Sequence, residues 1–274
     1  MKNPGIFLVP ILIIGIFMLI SNKLMASGAV NPTTMIIVAV VAFVLMLAIR
    51  PKKPASKANP DAAMTLLGDF AKDAFKDDQK LSNQFSSAVS DYVNGMPKAA
   101  TSKLEKLQFL CKTDADTYAV SVALGLTKAS TGDFEAAIKL YNKAVVLHPT
   151  TELAMTLGAA QQRIGELEQA RDSYDFALDL DPNNIEALSA KATAYVGDGM
   201  FEEAITEARL ALERDENHAS ALATCAICYG VLDDALLCRS YTNKAVENGY
   251  KADKINATIP ALKKKFKKTL ESMN

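Results

Sequence analysis

Apolar and polar positions divide the chain into regions of different period. Residues 5 to 20, GIFLVPILIIGIFMLI, and 30 to 49, VNPTTMIIVAVVAFVLMLAI, carry no charge. About 20 apolar residues at 1.5 Å rise cross a bilayer core of about 30 Å. The second run meets that length. The first is shorter, although Leu24 to Ala26 continue it past Asn22 and Lys23. Residues 1–50 are therefore expected to form a two-span transmembrane hairpin, the first run being readable also as a cleaved signal peptide. Residues 51–61, rich in proline and lysine and without apolar period, read as an extended linker. From there the period becomes helical, with Ala62, Leu66, Phe70, Ala74 and Phe75 on one face. Residues 82 to 112 read as a helix pair turning at Asn94-Gly95-Met96-Pro97. Val89 and Tyr92 then lie opposite Ala100, Leu104 and Leu107. No strand is expected after the apolar runs.

The period then repeats as a whole. GDFEAAIKLYNKAVVLHP starts at Gly132, GELEQARDSYDFALDLDP at Gly165 and GMFEEAITEARLALERDE at Gly199. A period of 33 or 34 residues signals stacked helical units. Each glycine suits the left-handed conformation that closes one helix before the next begins. Ala137, Ala170 and Ala204, then Ala144, Ala177 and Ala211, recur where two helices cross closely. Pro149 and Pro182 end the second helix of their units. One such pair cannot cover both of its apolar faces, so about three units must stack for stability, and the end of the stack needs a polar-faced cap.

These residues resemble the tetratricopeptide repeat. Leu124-Gly125, Ala137, Tyr141, Ala144 and Pro149 match its pattern in one unit, and Leu157-Gly158, Ala170, Tyr174, Ala177 and Pro182 in the next. A third unit keeps Tyr195, Gly199, Ala204 and Ala211, with Ala192 and Glu216 in place of glycine and proline. A fourth keeps Ala226, Tyr229 and Ala245, with Asp233 at the turn and Cys238 at the crossing. The early aromatic of the pattern is absent throughout. The resemblance implies an all-α fold: after the two N-terminal transmembrane helices, a right-handed α-solenoid of the tetratricopeptide type. It would comprise a helical region with a degenerate repeat at 62–116, four repeats at 117–250 and a capping helix at 251–274. In this cap Ile255, Ile259, Leu262, Phe266 and Leu270 are expected to turn inward. The resemblance also implies that the first helices line a concave groove for a peptide or partner helix. Carried over, the groove positions are Val122 and Leu126; Glu152, Met155, Ala159, Gln162 and Arg163; Glu186, Ser189, Thr193 and Val196; and Ala223 and Ile227. The lysine and asparagine clamp by which some relatives hold a C-terminal carboxylate is absent.

Charge and chemistry add less. The formal net charge of −1 gives no reason to expect nucleic acid as a partner. Arg50, Lys52, Lys53 and Lys57 follow the second apolar run, whereas the connector carries only Lys23. The cation excess predicts a cytoplasmic repeat domain on an integral membrane chain. Cys225, Cys228 and Cys238 with His218 supply one CxxC in mid-helix, which reads as structural packing rather than a metal or redox pair. No nucleophile elbow, phosphate loop or paired ligand motif occurs, so neither catalysis nor a cofactor is expected. The sequence therefore predicts a membrane-anchored adaptor that binds a protein partner. A self-associating assembly subunit of a membrane or envelope complex is the alternative.

Overall fold

A computed structural model describes residues 65–267. The two apolar runs, the linker, Ala62 and the tail from residue 268 lie outside the described residues. Among those described, no helix is long and apolar enough to cross a membrane.

Eleven α-helices follow a short 3-10 helix at Phe70–Asp73. They are α1 (Gln79–Val93), α2 (Pro97–Gln108), α3 (Asp114–Ser130), α4 (Phe134–Leu147), α5 (Thr151–Ile164), α6 (Leu167–Leu180), α7 (Ile185–Asp198), α8 (Phe201–Arg214), α9 (Ala219–Val231), α10 (Ala235–Glu247) and α11 (Ala252–Lys265). Consecutive helices pack as five antiparallel pairs, and each pair stacks on the one before it. The described part is thus an all-α solenoid.

Local chemistry sets the helix ends. Thr113, Asp133, Thr150, Asn184, His218 and Asp234 each accept a backbone N–H of the first turn that has no partner within the helix. Gly165 and Gly199 close α5 and α7 at φ 87° and 80°. In the fourth unit Asp233 holds φ 65° without that freedom, a strain on the order of 1 kcal/mol. The six crossing alanines, from Ala137 to Ala211, are fully buried. Gly125 and Gly158 let a tyrosine of the paired helix lie against the backbone. A methyl at either position would come within 2.5 or 2.6 Å of Tyr141 or Tyr174 Cε1.

Two segments depart from the expected pattern. Residues 65–75 are not one amphipathic helix, because the chain turns at Gly68 (φ 61°) and again at Phe75 (φ 57°). This segment is a strap against α3. Tyr118 donates to the Leu66 carbonyl at 3.0 Å, and Phe75 N–H donates to Asp116 Oδ1 at 2.7 Å. Phe70 stacks on His148, with ring centroids 4.6 Å apart. The second departure is α11. Among the helices that precede it, each regular first helix packs chiefly on the second helix just before it, whereas α11 packs chiefly on α9, a first helix.

Candidate protein-binding groove

The first helices α3, α5, α7 and α9 carry the groove positions in register. Val122, Met155, Ser189 and Ala223 form one column, and Leu126, Ala159, Thr193 and Ile227 the next. Their exposure differs along the array. In the first column Val122, Ser189 and Ala223 are buried and only Met155 is half-exposed. In the second, Ala159 is exposed, Leu126 and Thr193 are half-buried and Ile227 is buried. Of the thirteen expected groove positions, Val122, Ser189, Ala223 and Ile227 are thus buried and offer little surface. Ser189 is small and sinks between neighbouring helices. The other three are covered by the chain itself.

The covering has two sources. On α3, residues 118 to 125 are buried without interruption. A run longer than two helical turns means that every face is packed. The strap closes the face that a neighbouring pair would leave open, and Leu66 and Leu67 join the cluster that holds Val122. On α9, residues 221 to 228 are likewise all buried. There α11 supplies the cover. Ile255, Ile259, Leu262 and Phe266 share a cluster with Ala223 and Ile227. Gly230 occupies the register of Gln162 and Val196, and a methyl there would lie 2.5 Å from Ile259 Cδ1. Farther along, Lys265 Nζ donates to the Gly197 carbonyl at 2.7 Å, and Phe266 packs edge-on against Phe201. Between these two covers, the first-helix surface stays open over α5 and α7.

A cavity of about 620 Å³ opens at the N-terminal ends of these two helices. It brings together Leu126, Glu152, Met155 and Glu186 of the expected groove, and Thr65 and Leu66 of the strap form part of its wall. Ile185 adds an apolar surface, while Asp181, Asn183 and Asn184 add the turn that enters α7. Its charged lining residues, Glu152, Asp181 and Glu186, are all acidic. Glu186 lies 3.4 Å from His218 Nε2.

Beyond the cavity the floor is polar and paired. Tyr174 donates to Gln162 Oε1 at 2.9 Å, and Gln162 Nε2 donates to Thr193 Oγ1 at 3.3 Å, tying α6, α5 and α7 together. Burial pushes the Tyr174 phenol up to about 12. Arg163 turns away to lie over the Phe134 ring at 5.5 Å, and Val196 packs with the α9 cluster.

The strap and its anchors escaped the sequence reading. Burial acts to raise the Asp116 carboxyl, but the backbone N–H groups of Lys112, Phe75 and Thr113 outweigh it and hold the acid below its ordinary value. Thr113 and Asp116 form a capping box, a signal visible as a threonine followed three residues later by an aspartate. That the same carboxylate also binds a residue 41 positions earlier leaves no local trace. Cys225 and Cys228 are buried in α9, and burial pushes the Cys225 thiol up to about 12, opposite to what an activated thiol needs. The surface over α5 and α7 thus combines an acidic cavity with apolar walls and a paired polar floor beyond it.

The repeat segment matches the model of the tetratricopeptide repeat family over residues 122–185 and 155–219. Local similarity extends to much larger proteins. The CTR9 homolog of Arabidopsis thaliana is 29% identical over 89 residues, 32% of this chain and 8% of that protein. The BBSome complex member BBS4 of Bos taurus is 33% identical over 87 residues, 31% of this chain and 17% of that protein. This chain therefore spans less than a fifth of either relative. Among solved structures, MamA superposes with a TM-score of 0.54 at 22% identity, covering 59% of this chain and 93% of MamA. YrrB, described as a TPR protein with an unusual peptide-binding site, gives 0.53 at 17% identity, covering 67% and 93%. A repeat protein from Parabacteroides merdae gives 0.60 at 18%, covering 71% and 77%. The described part is an all-α solenoid in which residues 122–219 match the tetratricopeptide repeat.

Proposed function

We propose that this repeat solenoid is a membrane-anchored adaptor that holds a partner protein through the groove over α5 and α7. The observation that carries the reading is the cavity in which Leu126, Glu152, Met155 and Glu186 meet. Interaction with protein partners is the ordinary work of this repeat fold, and binding rather than catalysis is the role proposed here. The two uncharged runs before Arg50 and the cations after them support an anchor that leaves the repeats on the cytoplasmic side.

The full chain, expressed with an affinity tag and cross-linked in intact membranes, tests the groove against an Ala159→Trp variant. Ala159 is exposed, so the added bulk obstructs the groove without entering the core. A partner recovered with the wild-type chain and lost with the variant is the expected result. Equal recovery from both overturns the groove reading. A reporter fused after Asn274 is expected to be active in the cytoplasm; activity only on the other side refutes the orientation.

A further inference from the structure

We infer that the groove takes one short extended segment of a partner protein, about six residues long, with a lysine or arginine beside an apolar residue in the acidic mouth. This rests on the proposed groove function and specifies its occupant. Length follows from the closures. The strap covers α3, and α11 covers α9 at the register of Gln162 and Val196. The open surface is thus two neighbouring first helices wide. At an interaxial spacing of 8–10 Å, two helices with their flanks span about 20 Å. An extended chain rising about 3.3 Å per residue crosses that distance in about six residues.

Charge complementarity gives the chemistry of the occupant. Leu66, Leu126, Met155 and Ile185 provide the apolar part of the cavity, and Glu152, Asp181 and Glu186 its charges. A cationic side chain entering there meets acids and no cation among the lining residues, while its apolar neighbour covers Leu126 and Met155. A carboxylate in the same place would face repulsion. The mouth therefore discriminates by charge as well as by shape. Farther in, Gln162 and Thr193 already satisfy each other, so the middle of the groove favours small or apolar side chains above the exposed Ala159.

The test uses the full chain in non-ionic detergent and fluorescence anisotropy with two labelled hexapeptides. One is Ala-Ala-Leu-Lys-Ala-Ala and the other carries glutamate in place of lysine. The lysine peptide is expected to bind at least tenfold more tightly. The double variant Glu152→Gln, Glu186→Gln is expected to lose about tenfold for the lysine peptide at unchanged far-UV circular dichroism. Lengthening the peptide to twelve residues is expected to change affinity less than twofold. Equal binding of the two hexapeptides, an unaltered affinity in the double variant, or a gain above tenfold on lengthening would each overturn the proposal. So would a tenfold rise in affinity on replacing Arg50, Lys52, Lys53 and Lys57 with alanine, since the occupant would then be the chain's own linker. If the lysine peptide fails while Ala159→Trp still abolishes partner recovery, the groove stands and its basic specificity falls. If neither responds, both readings fall.

Discussion

Replacing Tyr141 and Tyr174 with phenylalanine, one at a time, is expected to shift stability in opposite directions. The two tyrosines hold the same place in consecutive units, each fully buried against a helical glycine of the paired helix. Their hydroxyls differ. Tyr174 donates to Gln162, but at the register of Gln162 the helix α3 carries Ala129. The Tyr141 hydroxyl has no partner among the described residues. A buried polar group without a partner costs about 1–3 kcal/mol, whereas an ordinary internal hydrogen bond contributes about 1 kcal/mol net. Tyr141→Phe should therefore stabilise the array by about 1 kcal/mol, and Tyr174→Phe should destabilise it by about the same amount. With a urea dependence of about 2 kcal/mol per molar, a gap of about 2 kcal/mol separates the two midpoints by about 1 M. Urea unfolding of the full chain in detergent, followed at 222 nm, reads this directly. Ala129→Gln offers Tyr141 an acceptor and should then make Tyr141→Phe unfavourable. If Tyr141→Phe lowers the midpoint as far as Tyr174→Phe, the reasoning is refuted.

Gly125→Ala and Gly158→Ala gain about 1 kcal/mol of helix propensity, yet each methyl would lie within 2.6 Å of a tyrosine ring. Overpacking of this kind costs about 1–3 kcal/mol, so a net loss in urea midpoint is expected; a gain would show that the rings yield. Asp116→Ala removes the anchor of the strap, with about 3 kcal/mol of charge-assisted hydrogen bonding at stake. Trypsin should then cut after Lys72 or Lys76 well before it cuts the repeats, and unchanged digestion would contradict the role given to Asp116. Because the folded Asp116 carboxyl lies below its ordinary 3.8, its contribution is present above that value and disappears as pH falls through the depressed one. Cys225 titrates near 9 when unfolded and near 12 when folded. Its stabilisation is thus complete below pH 9 and declines at higher pH, which urea midpoints between pH 8 and 11 will follow. Iodoacetamide should label the half-buried Cys238 far ahead of Cys225 and Cys228 in the native chain, and all of them alike in urea.

The helical pairs were readable because their determinants are local. A crossing alanine, a closing glycine and a capping threonine each act within a few residues, and the period of 33 or 34 copies them along the chain. Met155 and Glu152, placed by register alone, do line the cavity. The burial of Val122, Ala223 and Ile227 was not legible, since register says which way a side chain leaves its helix but not what lies across from it. The strap's use of Asp116 is a contact over 41 residues. The reach of α11 back to Gly197 extends over 68 residues. Neither produces a period. Phe70, Ala74 and Phe75 are spaced as on a helix face, yet Gly68 and the positive φ at Phe75 turn the backbone so that burial is achieved without a continuous helix.

Covering α3 on one side and α9 on the other turns the repeat into a ruler. The span of the open groove is counted in whole units: α3 and α9 are covered, and only the first helices between them are left. Inserting one more unit between α6 and α7 would add about 10 Å of open surface, enough for about three further residues of an extended segment, while leaving the strap and α11 untouched. Deleting one would shrink the site to a single helix. On the proposed groove reading, the number of repeats sets the reach of recognition, independently of the chemistry at the mouth.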